Sequence, residues 1–177
     1  MQTDTERNAR LRIAGITDDS IVDGPGLRYV IFVQGCPHRC DGCQNPETHD
    51  FSGGRLTDTD ALYEQCVENP LADGVTFSGG EPFCQPEPLY ELGSRFKAAG
   101  KHLMCYSGWT FEELLKKSET EEFTGKLLGI LDILVDGRFD ISKRSLSLEF
   151  RGSSNQRLID VPASLKAGHA VEVVTKL

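Results

Sequence analysis

The chain has 177 residues, with 27 acidic against 19 basic side chains, a formal net charge of −8 and a pI near 5.0. That balance excludes a polyanion-binding surface, so neither nucleic acid nor an anionic membrane is an expected partner. No apolar run approaches the roughly 20 residues of a spanning helix, and the polar start lacks the apolar core of a signal peptide. The length suits one domain, residues 11–177, after a short polar tail over 1–10. A cytoplasmic location is expected, where thiols stay reduced.

In chain order, Leu11 to Thr17 is strand-like and is followed by a turn, Asp23-Gly24-Pro25-Gly26-Leu27-Arg28. A second strand over Arg28 to Val33 leads through Gln34-Gly35 into Cys36-Pro37-His38-Arg39-Cys40-Asp41-Gly42-Cys43. Leu56 to Glu68 suits a helix capped by Thr57 or Asp58, with Leu62, Tyr63, Cys66 and Val67 on one face. Gly74 to Phe77 is a short apolar strand ending in Ser78-Gly79-Gly80-Glu81-Pro82. Glu87 to Ala99 places Leu89, Leu92, Phe96 and Ala99 on one helical stripe, and Gly100 ends it. A strand over Lys101 to Tyr106, a helix over Thr110 to Lys117 capped by Thr110, and a helical stretch over Leu127 to Leu131 follow. Ile133 to Val135 reads as a buried strand, with Leu158 to Val161 and Ala170 to Thr175 as late strands.

Strands separated by helices imply parallel pairing through right-handed crossovers. The units are too few to close an eight-fold barrel, so the expected fold is α/β: a partial, open (β/α) barrel with parallel strands. Chemistry is expected at the carboxyl ends of those strands. The segments after Val33, Phe77, Tyr106 and Val135 should therefore share one rim, and an open flank would admit a macromolecular substrate.

The cysteine spacing carries the chemistry. Cys36, Cys40 and Cys43 are separated by three and then two residues, and no fourth cysteine lies nearby. Iron–sulfur clusters usually take four thiolates, and structural zinc sites are closed by four Cys or His ligands. Three thiolates could hold an iron–sulfur cube with one iron open to a small molecule. His38 or His49 could instead close a zinc site, although a second cysteine knuckle downstream is missing. A disulfide framework fits poorly in a chain long enough for an ordinary core. The Gly79-Gly80 pair lets backbone approach a ligand closely, and Glu81 adds an acceptor suited to an ammonium group. Cys66 and Cys105 read as small core hydrophobes; Cys84, three residues past Glu81, could approach the site. Arg39 could tune a cluster through charge, and Trp109 reads as packing.

Taken together, these two segments resemble the radical S-adenosylmethionine superfamily, which pairs this cysteine spacing with a Gly-Gly-Glu-Pro turn after the next strand. Asp23 to Arg28, Asn45-Pro46-Glu47, Val135 to Phe139 and Phe150 to Arg157 extend the likeness to about Ile13 to Val161. Within the superfamily the chain is similar to the glycyl-radical-enzyme activases, and among them to those of the anaerobic ribonucleoside-triphosphate reductase. The Arg151 to Arg157 run separates this branch from the pyruvate formate-lyase branch. The resemblance implies that Cys36, Cys40 and Cys43 ligate a 4Fe-4S cluster. It implies that Gly79, Gly80 and Glu81 contact the amino group of S-adenosylmethionine, and that Gly42, Cys43 and Gln44 lie beside its adenosyl part. This chain has Gly42 where many members carry an aromatic residue. Asp136 is a further candidate for the ribose or sulfonium region.

The implied activity is reductive cleavage of S-adenosylmethionine and generation of a glycyl radical on the large subunit of the anaerobic reductase. A flavodoxin- or ferredoxin-like protein would donate the electron. The competing readings are activation of another glycyl radical enzyme such as pyruvate formate-lyase, an iron–sulfur electron carrier, and a zinc-binding module.

Overall fold

The computed structural model describes residues 9–174. Most of the polar start expected over 1–10, and the end of the late strand at Thr175, lie outside the described residues. The elements are β1 (Arg10–Ser20), β2 (Arg28–Val33), β3 (Arg55–Asp58), α1 (Thr59–Glu68), β4 (Gly74–Gly79), α2 (Pro86–Ala98), β5 (His102–Ser107), α3 (Phe111–Ser118), α4 (Glu122–Ile130), β6 (Ile133–Asp136), β7 (Arg157–Asp160) and α5 (Val161–Ala167). Local chemistry explains several boundaries. The Asp58 carboxylate accepts from Asp60 N and starts α1. Thr110 and Glu113 form a reciprocal capping box on α3, and Gly168 ends α5 in the left-handed conformation.

The strands form one seven-stranded sheet in the order β3-β1-β2-β4-β5-β6-β7. Its centre is parallel: β2 with β4, β4 with β5, and β5 with β6. The two end strands, β3 and β7, do not pair with each other, so the barrel is partial and open. Three strands depart from the expected parallel pairing. β1 runs antiparallel to both β2 and β3, and β7 antiparallel to β6. The seven residues between β1 and β2 are too few for a crossover, and no α-helix separates β6 from β7. Leu56 to Asp58 is strand rather than helix, because Leu11 and Arg12 pair with Thr57 and Leu56 at the sheet edge. Beyond α5, Ala170 to Val174 makes one bridge, Glu172 with Ile159, in place of a full strand.

Strand alternation sorts side chains onto two faces. Tyr29, Ile31, Val33, Val75, Phe77, Leu103, Cys105 and Leu134 face the helices and build the main core with Leu62, Leu89, Leu92, Phe96, Leu114 and Leu127. The alternate residues face the barrel interior. Arg28, Thr76 and Met104 are fully buried there, whereas Phe32, Ser78 and Tyr106, one step from the carboxyl ends of their strands, line a cavity.

Arg28 fills the amino end of the interior without a carboxylate partner. Its guanidinium donates to Thr76 Oγ1 at 3.0 Å, Val75 O at 2.6 Å and His102 O at 3.2 Å. Pro25 O accepts a longer bond, and Thr76 Oγ1 in turn donates to Asp23 O at 2.7 Å. The buried arginine thereby ties the Asp23 to Gly26 turn to β4 and β5. Burial pulls its pKa down to about 10, and such a cation persists only because carbonyl and hydroxyl oxygens surround it.

Candidate active site

The cavity at the carboxyl ends of the parallel strands measures about 460 Å³, within the range of small-molecule sites. Its walls come from six segments, the first being Val22 and Asp23 of the turn before β2. The loop after β2 contributes Cys36, His38, Cys40, Cys43, Gln44, Asn45 and His49; the end of β4 contributes Ser78 to Glu81; the end of β5 contributes Tyr106 to Gly108. Gly137 and Phe139 follow β6, and Phe150, Arg151, Gly152 and Gln156 close the far side. The four expected strand ends therefore do converge.

The cysteine loop is held at both ends. Gln34, buried, donates through Nε2 to Glu47 O at 3.0 Å and Asp50 O at 2.6 Å, so the chain returns to its starting point. Gly35 N to Thr48 O and Cys36 N to His49 O close the neck. Within the loop, Cys43 N bonds Cys40 O, and Asn45 N donates to Cys43 Sγ at 3.4 Å. The exposed Arg39 takes a left-handed φ of +48° to turn the chain, a strain of the kind that clusters at functional sites.

All three cysteines are unpaired and partly exposed. Burial raises the thiol pKa values of Cys36 and Cys40. Among the described residues, no three His, Cys, Asp or Glu side chains meet closely enough to hold a single metal ion. Cys36, Cys40 and Cys43 all line the one cavity, and a multi-iron cube takes its thiolates at separate metal corners rather than around one ion. His49 and Arg151, both in the lining, each carry a polar atom, Nε2 and Nε, that is buried without a hydrogen-bond partner. Orphans of this kind cost free energy unless a ligand satisfies them. The residues present therefore fit both a cluster and a polar small molecule beside it.

The Gly79-Gly80 turn lies tight against the cysteine loop. Gly79 sits at φ +93°, and a Cβ there would come within 2.6 Å of Val33 N. A Cβ on Gly80 would overlap Gly35 O, so only glycine permits the loop and the turn to meet.

Of the other expected site residues, Gln44, Cys43, Gly79, Gly80 and Glu81 all line the cavity, whereas Gly42 and Asp136 do not. Gly42 is exposed, at φ +71°, with its α-carbon against Ile141. The Asp136 carboxylate, 1% exposed, accepts from Phe111 N at 2.7 Å and from Arg157 Nε and Nη2 at 3.0 and 2.5 Å. It anchors α3 and β7 rather than facing the cavity.

Arg151, Gly152 and Gln156 belong to the cavity wall, and side-chain hydrogen bonds to backbone hold the run around them. Gln156 Oε1 gathers the amides of Gly152 and Ser153, and its Nε2 donates to Gly137 O. Asn155 Nδ2 donates to Arg138 O, and Arg151 Nη1 to Gln156 O. Tyr106 Oη holds the run from below through Phe150 O at 2.7 Å. The segment is thus a self-bonded wall fastened to the β6 turn. His49 was expected only as an alternative zinc ligand, and Arg151 only as part of the Arg151 to Arg157 run; both line the cavity. Their spacing from the cysteines does not mark them as cavity groups, which the fold alone decides.

The remaining cysteines keep out of the cavity. Cys66 and Cys105 are fully buried in the main core, and burial pushes the Cys66 thiol up to about 11. Cys84 lies behind the Glu81 turn, outside the cavity lining, its thiol raised to about 12 by burial and then by Glu81. Trp109 packs against the core and edge-on to His38.

Comparison with known proteins places this arrangement among relatives. Residues 22–159 match the 4Fe-4S single cluster domain family. The anaerobic ribonucleoside-triphosphate reductase-activating protein of Haemophilus influenzae is 34% identical over 146 residues, covering 77% of this chain and 89% of the relative. The protein of the same name from Escherichia coli K12 is 34% identical over 147 residues, covering 77% and 90%. The pyruvate formate-lyase-activating enzyme of Clostridium pasteurianum is 38% identical over 117 residues, but these cover 61% of this chain and 49% of that enzyme.

Proposed function

Because this chain belongs to the 4Fe-4S single cluster domain family and to the anaerobic ribonucleoside-triphosphate reductase-activating proteins, we propose that it is a radical S-adenosylmethionine activase. Its product is a glycyl radical on the large subunit of an anaerobic ribonucleoside-triphosphate reductase. The observation that carries the reading is that Cys36, Cys40 and Cys43 line one cavity together with Ser78 to Glu81. The reductase is favoured over pyruvate formate-lyase as partner because the reductase-activating relatives match over nearly their whole length.

Cys36, Cys40 and Cys43 would hold the 4Fe-4S cluster, and the glycine turn with Gln44 would cradle S-adenosylmethionine beside it. When bound, the two supply one electron from the reduced cluster, cleavage of the bond between sulfur and the 5′ carbon, and abstraction of a hydrogen atom from a glycine α-carbon of the partner. The chain's own residues bind, orient and exclude. The Gly79-Gly80 backbone allows close approach without side chains. Arg151 and His49, both in the lining, are suited to the carboxylate and hydroxyl groups of the ligand. Phe32, Phe139 and Phe150 give the cavity apolar surface. The open side of the sheet leaves room for a polypeptide glycine to enter.

A flavodoxin- or ferredoxin-like protein is the proposed electron donor. No helix among the described residues is long and apolar enough to cross a membrane, and reduced thiols suit the cytoplasm proposed for this activity.

Anaerobic reconstitution tests the reading. About four irons and four sulfides per chain are expected, with a cluster EPR signal that changes on adding S-adenosylmethionine and 5′-deoxyadenosine formed on reduction. A zinc-loaded, colourless protein, or a cluster indifferent to S-adenosylmethionine, would overturn it.

A further inference from the structure

Glu81 was expected to accept the ammonium group of the ligand, yet its carboxylate is already saturated. Oε1 accepts from Phe83 N at 3.1 Å and from Ser107 Oγ at 3.0 Å. Oε2 accepts from Gly108 N at 2.8 Å and from His38 Nε2 at 2.8 Å. A carboxylate offers about four lone-pair positions, and all four are taken. The side chains of Glu81 and His38 are 1% and 4% exposed, so water does not compete for these bonds.

The four donors come from three places in the chain. Phe83 belongs to the turn after β4, Ser107 and Gly108 to the end of β5, and His38 to the cysteine loop between Cys36 and Cys40. The His38 ring also stands edge-on to Trp109, with centroids 4.6 Å apart at 75°. A Cβ on Gly108 would overlap the His38 ring, so this position too needs glycine for the imidazole to reach the carboxylate.

We infer that Glu81 is a positioning residue that clamps the cysteine loop onto the ends of β4 and β5 through His38. The ligand's ammonium is then left to backbone carbonyls of the Ser78 to Gly80 turn. The ammonium half rests on the function proposed above; the clamp half does not. A buried, fully bonded carboxylate rigidifies what it joins, here the cysteine loop and the ends of β4 and β5.

Three variants of the full chain, Glu81→Gln, His38→Ala and their double, test this as purified and after reconstitution. A Gln at 81 turns an NH₂ group toward donors, so each single variant lowers the unfolding midpoint by roughly 5–10 °C. Each also lowers iron retained per chain, and the double variant loses much less than the sum. In the cluster-bearing fraction of Glu81→Gln, the dissociation constant for S-adenosylmethionine stays within about threefold of the parent. Ser107→Ala removes one donor only and supplies a folded, weaker version of the same effect. Additive losses in the double variant, or a more than tenfold loss of S-adenosylmethionine affinity in the cluster-bearing fraction, would overturn the clamp. Should the parent itself fail to bind S-adenosylmethionine while the two residues remain coupled in unfolding, the proposed function fails and the clamp stands.

Discussion

Arg157→Met is the perturbation whose cost the structure states most directly. Arg157 holds the buried Asp136 carboxylate with two parallel bonds, Nε to Oδ1 at 3.0 Å and Nη2 to Oδ2 at 2.5 Å. The same guanidinium reaches Glu112 Oε2 at 2.7 Å, but Glu112 is 55% exposed and that pair contributes little. Removing the arginine leaves Asp136 charged, 1% exposed and bonded only by Phe111 N among its present donors. Breaking a buried pair from one side costs about 3–5 kcal/mol. Arg157 is 30% exposed, which puts this case near the lower end, about 3 kcal/mol. For a chain of this size that corresponds to a fall in midpoint of roughly 6–12 °C. Adding Asp136→Asn to the variant removes the stranded charge and should restore part of the loss. Thermal and urea unfolding followed by circular dichroism measure both steps. A loss under about 1 kcal/mol for Arg157→Met, or no recovery in the double variant, would refute the view of Asp136 as a brace between β6, β7 and α3.

Three further outcomes are expected. Cys43→Ala should abolish the reconstituted cluster while Cys66→Ser retains full iron and sulfide; equal loss in both would upset the division of the six cysteines. Arg151→Met should weaken S-adenosylmethionine binding by roughly 10- to 100-fold, the worth of a hydrogen bond to a charged group, without changing iron content; equilibrium dialysis reads this directly, and unchanged affinity speaks against Arg151 as a ligand contact. His102, lowered below 6.5 by burial and then by Arg28, favours its neutral form in the folded state. Its stabilisation is therefore complete above about pH 6.5 and is lost as pH falls through that value towards the folded pKa. The ring's Nδ1 lies 3.1 Å from Arg28 Nη1, so His102→Asn keeps an acceptor for Arg28 and should flatten the drop in urea midpoint between about pH 7.5 and 5.5; parallel profiles for the two proteins would count against it.

Much of the fold was readable because period and punctuation agreed. The parallel centre from β2 to β6 follows from apolar strands separated by capped helices, and α3 announces itself through Thr110 and Glu113. The edges were not readable. β3 lacks an apolar pattern, with Arg55 and Leu56 exposed, and its strand state comes only from pairing with β1. The antiparallel β7 depends on the long β6 to β7 connection, whose wall-like fold rests on Gln156 and Asn155 bonding backbone at positions spacing does not reveal.

At the site, the cysteines and the glycine turn could be recognised because their chemistry demands particular residue types. The roles of the two expected carboxylates could not. Asp136 ends its strand and Glu81 follows one, positions where a ligand contact and a structural brace look alike in sequence. Only the count of donors around each oxygen separates the two. The buried, carboxylate-free Arg28 was equally hidden, since the oxygens that surround it come from β4, β5 and the turn before β2.

The most direct test of the central claim is EPR spectroscopy of the anaerobic reductase after incubation with the reconstituted chain, S-adenosylmethionine and a one-electron reductant. The account predicts a glycyl radical on the reductase, formed together with 5′-deoxyadenosine and missing with the Cys43→Ala variant. A chain that carries its cluster and binds S-adenosylmethionine, yet leaves the reductase without a radical, would contradict it.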